Sequence, residues 1–101
     1  MGKNKIDIFE DEDYAKVVLY NKNGEESHQV KISIEDIELV GAYRWAYNWR
    51  SGASSIINGK HIGINRYITN AQNDERVFWI NKDKLDSRRC NLEIRKYKAR
   101  P

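Results

Sequence analysis

Residues 77–94 read VFWINKDKLDSRRCNLEI, and the reading of this run decides the rest of the chain. It opens as an apolar, β-prone segment over Val77–Ile80, then turns through Asn81-Lys82-Asp83-Lys84. Asp86, Arg88, Arg89 and Asn91 are then crowded between Leu85 and Leu92. The bases Arg88 and Arg89 have two outlets, since a guanidinium fork fits a phosphate or a neighbouring carboxylate equally well.

Outward from this run, the charge is lopsided. Residues 1–41 hold 5 basic and 10 acidic side chains, whereas residues 42–101 hold 13 basic and 5 acidic ones. A basic half of that kind suits a polyanion, because Lys and Arg at phosphates release counterions. At 101 residues the chain is expected to form one domain with one modest core. No apolar run approaches the ~20 residues that span a bilayer, and no leader is visible. The single cysteine, Cys90, has no internal partner and reads as a small buried residue in a reducing compartment.

The N-terminal third carries β signals. Residues 1–13 read as an acidic arm or a first edge strand. Tyr14–Tyr20 is β-branched and aromatic, Asn21-Lys22-Asn23-Gly24 is a turn, and His28–Ile32 alternates well enough to pair back. Ser33, with Asp36 three residues on, predicts a capping box for a two-turn helix; Ile34, Ile37 and Val40 would share its face and Gly41 its left-handed stop.

Tyr43–Arg50 (YRWAYNWR) predicts a strand with Tyr43, Trp45, Tyr47 and Trp49 on its core side, and Arg44, Asn48 and Arg50 on the open side. Ala53–Ile57 and Lys60–Asn65, joined by Asn58-Gly59, complete a three-stranded antiparallel meander, its apolar face covered by the Ile34–Val40 helix. A polar loop over Asn70–Arg76 leads back to the core run.

That core run resembles the ββα-metal motif of the HNH nucleases of the phage and intron homing-endonuclease branch. The matches are Ile80, Asn81, Leu85, Asp86, Arg88, Arg89, Asn91 and Leu92. The resemblance extends upstream through Glu35-Asp36, Arg44-Trp45 and Ile64-Asn65-Arg66-Tyr67-Ile68. The Trp-containing meander is also similar to the three-stranded plant-type DNA-binding domains that accompany such nucleases. Where the family has its metal-binding Asp and catalytic His, this chain has Phe78 and Trp79, and a further family His is Asn65. Cleavage of this kind needs a hard cation and a general base, which Phe and Trp cannot supply. Family members continue into a helix with the last metal ligand, for which residues after Ile94 leave no room. His28 and His61 stand far from the core run and read as surface or strand histidines.

The resemblance implies an α+β fold: a small antiparallel sheet with a short helix over 14–76, a degenerate ββα remnant over 77–95, and a basic tail over 96–101. It implies binding without cleavage, with no cofactor, metal, membrane or small-molecule substrate. Side chains expected to meet nucleic acid or a partner are Arg44, Arg50, Lys60, Arg66, Lys82, Lys84, Arg88, Arg89, Arg95, Lys96 and Lys98. Trp79 reads either as an interface anchor or as a plug of the core. A small binder acts by occupancy. The expected role is therefore a phage or mobile-element inhibitor of a host nuclease system, of the anti-CRISPR type, in the cytoplasm of a bacterial host. Its partner would be guide-type RNA or DNA, or the effector nuclease that carries it. The alternative is a duplex-DNA-reading regulator; a residual metal-dependent nuclease ranks third.

Overall fold

The apolar, β-branched segments of the first third pair locally, as short loops favour. In the computed structural model, which describes residues 3–96, β1 (Ile6–Phe9) pairs antiparallel with β2 (Tyr14–Tyr20), and β2 with β3 (Glu26–Ile32). Residues 6–9 are thus an edge strand, joined to β2 by a 3-10 turn over Glu10–Glu12 that ends on a left-handed Asp13 (φ 62°). The β2–β3 turn is held by Asn21, whose Oδ1 accepts from the N–H groups of Asn23 and Glu25, with Gly24 at φ 80°. Alternate β2 residues Ala15, Val17 and Leu19 enter the core with Val30 and Ile32 of β3.

The chain then runs through a 3-10 turn over Ile34–Asp36 into α1 (Ile37–Gly41). The expected capping box does not form. Ser33 makes no side-chain cap, and its Oγ instead accepts the Arg89 N–H at 2.9 Å. Asp36 also turns to Arg89. Gly41 is not a left-handed stop either; it is the last helical residue and lies beside Ile6, while Ala42 keeps a right-handed conformation.

A second sheet contains β4 (Ala46–Asn48), β5 (Gly52–Ile57) and β6 (Lys60–Gly63) in meander order, all antiparallel. Asn58 and Gly59 both take positive φ (53° and 79°), as a tight hairpin turn requires. The strand expected over Lys60–Asn65 stops at Gly63, and α2 (Ile64–Thr69) begins. Ile64 and Ile68, one helical turn apart, both bury, and Asn70 closes the helix in left-handed conformation. It is α2, rather than α1, that packs against β5 and β6.

The aromatic stripe of Tyr43–Arg50 also divides. Trp45 is buried, and its Nε1 donates to the Val40 carbonyl at 2.7 Å; Tyr43 packs edge-on against Tyr67. Tyr47 and Trp49 are exposed. Alternation fails because β4 is three residues long and Asn48 Oδ1 at once captures the Arg50 N–H, turning the chain. Asn4 ties the two sheets together: its Nδ2 donates to the carbonyls of Val18 and Trp45, and its Oδ1 accepts from Trp45 N at 2.7 Å.

The core run gives β7 (Glu75–Trp79), β8 (Asp86–Ser87), a 3-10 turn over Arg89–Asn91, and β9 (Leu92–Lys96). β7 and β9 pair antiparallel, while β8 pairs parallel with β3, so the first sheet has the order β1-β2-β3-β8. In place of one small antiparallel sheet, the α+β fold holds three: four-stranded and mixed, three-stranded, and two-stranded. Cys90 is exposed, contrary to expectation, because the 3-10 turn that directs Asn91 inward directs its neighbour outward. Among the described residues no helix is long and apolar enough to cross a membrane.

Candidate nucleic-acid interface

The sites begin with a knot. Asp86 is buried at the head of β8 and accepts two hydrogen bonds of 2.7 Å from Arg88, through Nε and Nη2. Asn81 Nδ2 donates to the same carboxylate at 3.1 Å. Asn91 closes the ring, donating to Asn81 Oδ1 and the Asp86 carbonyl and accepting the Asn81 N–H. Burial pushes the Asp86 carboxyl up, but the hydrogen bonds and charge of Arg88, with the Asn81 amide, outweigh it and hold the group below its ordinary value. Arg89 forks onto the buried Asp36 at 2.7–3.1 Å, with Glu35 behind at 3.9 Å. Both arginines therefore take the carboxylate outlet, and each is held more firmly protonated by the hydrogen bond it donates. Arg88 closes the knot within the core run, whereas Arg89 ties the run to Ser33 and Asp36, in the segment between β3 and α1.

A different set of cations lines three adjoining hollows. The first, about 630 Å³, lies where the end of β2 meets the β4–β5 sheet and has Lys3, Lys22 and Arg44 on its walls. His61 lines both this hollow and the second, of about 620 Å³, which adds Lys60 and Arg66. Gly63 and Arg66 line both the second and the third, of about 260 Å³, where Arg50 and Arg76 stand over Phe78 and Trp79. Among the described residues, no Asp or Glu lines any of the three.

Arg66 donates to the carbonyls of Glu75 and Gln72, both at 2.8 Å, so it is fixed in place without a carboxylate. Arg50 sits over the ring of Trp49 at 5.0 Å. Lys84 donates to the Trp49 carbonyl at 3.2 Å and stands 5.9 Å from the rings of both Trp49 and Trp79. Trp49 is 67% exposed. Asn65 lies in the third hollow only 4% exposed, and its Oδ1 has no hydrogen-bond partner. A Cβ on Gly63 would stand 2.8 Å from that oxygen and from Ser51 Cβ, so the bare glycine allows this close packing.

Of the side chains singled out by sequence, Arg44, Arg50, Lys60, Arg66 and Trp79 line the connected hollows, and Lys84 adjoins them. Trp79 is half-buried: its Nε1 reaches Ser87 Oγ at 3.4 Å while its ring flanks the third hollow. Lys82 is the exposed left-handed residue (φ 67°) of the 81–84 turn. Arg95 pairs with Glu93 and covers Phe78, and Lys96 is exposed at the end of β9 opposite Glu75. Lys98 and the rest of the tail lie outside the described residues. Lys3, Lys22, Arg76 and His61 were not anticipated. Lys3 and Lys22 are masked in sequence by the acidic half that contains them. Their signal is the turn and strand end that bring them round to Arg44.

Among the described residues no three His, Cys, Asp or Glu side chains gather where they could hold a metal ion. A scan against protein-family models finds no match, and searches of curated proteins and of solved structures find none either.

Proposed function

We propose that this chain binds nucleic acid without cutting it and acts by occupancy. The observation that carries the reading is the set of three hollows that share lining residues, whose walls carry Lys3, Lys22, Arg44, Lys60, Arg50 and Arg66 with no Asp or Glu lining them among the described residues. Cations at that density along one path suit a chain of phosphates, and the exposed Trp49 beside Arg50 and Lys84 offers an aromatic face for a base. The resemblance of the core run to HNH nucleases supports the same substrate class. On that reading β7 and β9 are the two strands of a ββα remnant, with Phe78 and Trp79 where the family places metal-binding and catalytic side chains. A binder of this ancestry fits the role of a phage or mobile-element inhibitor, covering the guide RNA or DNA of a host nuclease.

The duplex-regulator alternative asked for Arg44 and Arg50 on one open sheet face. They instead flank β4 at separate hollows, which favours a ligand that follows a groove.

The deciding experiment is a salt titration of binding to a structured guide-type RNA, single strands and duplex DNA, with magnesium present and the products resolved on a gel. The expected result is intact nucleic acid and a steep salt dependence. Charge reversal at Arg44, Lys60 and Arg50 should remove most of it. Magnesium-dependent nicking that survives repurification would overturn the non-cleaving reading. Absence of binding to all three would overturn the nucleic-acid reading and point to an acidic protein partner.

A further inference from the structure

We infer that the first hollow is a subsite for one unpaired nucleotide, so that the hollows take single-stranded rather than duplex nucleic acid. This rests on the nucleic-acid reading and adds to it the form of the ligand.

The hollow has two kinds of wall. Tyr20, Tyr43 and Ile56 supply rings and apolar surface, and Ile56 is 62% exposed there although it is a strand residue of the central β5. Lys3, Lys22 and Arg44 supply positive charge. No carboxylate pairs with any of these three among the described residues. An apolar face to hold a base and cations to hold its phosphate are the parts of a nucleotide site. At about 630 Å³ the hollow falls within the ~300–1,000 Å³ of small-ligand sites.

The base of the hollow is also fixed in advance. Asn4 bonds Val18 of β2 and both backbone groups of Trp45, which holds Lys3 and Arg44 on either side of the sheet junction. Ser55 Oγ donates to the Arg44 carbonyl at 2.6 Å and sets the backbone from which Arg44 projects. Such anchoring lowers the ordering cost of binding.

The geometry disfavours a duplex. Reading a groove requires an element that protrudes into it, whereas these cations line concavities. A flexible single strand can lay one base in the hollow and carry its backbone past His61 toward Lys60 and Arg66.

The test is fluorescence anisotropy with a labelled 12-nucleotide single strand and a labelled duplex of the same length, at one salt concentration. A second single strand carries 2-aminopurine. The single strand should bind at least about tenfold more tightly than the duplex, and 2-aminopurine emission should change on binding as the base is stacked. Ile56→Ser should weaken single-strand binding about tenfold and leave duplex binding and thermal unfolding unaltered, and Arg44→Ala should weaken single-strand binding about tenfold with thermal unfolding unaltered. Both side chains are exposed, so folding is not at stake. Equal affinity for strand and duplex, or an Ile56→Ser variant that binds like the parent, would overturn the subsite while leaving nucleic-acid binding standing. No binding to either probe would overturn both.

Discussion

Two groups of arginines in this chain look alike in sequence and behave as opposites in the fold. Arg88 and Arg89 each face a buried carboxylate, Asp86 and Asp36; Arg88 braces the core run on itself, and Arg89 holds it to the segment between β3 and α1. Among the described residues, Arg44, Arg50 and Arg66 have no carboxylate partner, and they line the adjoining hollows. The first group is architecture and the second is available to a ligand. Positive charge in a sequence therefore does not mark a binding site. Whether the fold has already supplied the counter-charge decides it.

The comparison breaks most severely at its architectural end. Asp86→Ala should cost about 3–5 kcal/mol in urea unfolding, since it leaves Arg88 and the Asn81 amide facing a vacated, buried position. The affinity of the folded fraction for nucleic acid should stay as it was; a loss of affinity with unchanged stability would move Arg88 to the binding group. Acid sharpens the same contrast. The Asp86 carboxyl titrates below its ordinary 3.8 in the folded state, so its stabilisation is present above that pH and is lost as pH falls through the lower folded value. Asp86→Asn should flatten that part of the acid-unfolding curve.

Between β5 and the core loop, Gly52 permits a close backbone approach. It sits at φ 82°, and a Cβ there would run into the Lys84 carbonyl of the core loop. Gly52→Ala should cost about 2–4 kcal/mol, combining left-handed strain and overpacking, and should weaken binding by displacing Trp49 and Lys84. Removal of Arg44, Arg50 and Lys60 together should scarcely change unfolding. It should lower the slope of log affinity against log salt by about 2 to 3, which a binding titration reads directly. Smallest of all on stability is Trp49→Ala, expected within about 0.5 kcal/mol because the ring is exposed, with its effect confined to binding.

Much of the local structure was legible. Tyr14–Tyr20, the Asn21–Gly24 and Asn58-Gly59 turns, and the antiparallel meander follow from β-branched alternation and from residues that accept positive φ. The crowding of Asp86, Arg88, Arg89 and Asn91 between Leu85 and Leu92 was legible too, but which of them bond one another, and that Asn81 joins Asp86 and Asn91, was not. Less legible were elements whose partners lie far along the chain. Ser33 and Asp36 read as a capping box because their nearest candidate partners are local, yet Arg89, 53 residues beyond Asp36, offers a stronger one. Ile64–Thr69 read partly as strand because a short apolar run satisfies either period, and only the packing of α2 against β5 and β6 chose the helix.

The sequence by itself determined the class: α+β, strand-rich, with more cations than anions in its second half. Local backbone preference and side-chain chemistry reach that far. Only the tertiary structure decided which cations are neutralised and which share a groove, since pairing and groove formation depend on distances that the folded chain alone sets. Lys3 and Lys22 belong with Arg44 for that reason, though each of the three lies nineteen or more positions from the next in the chain.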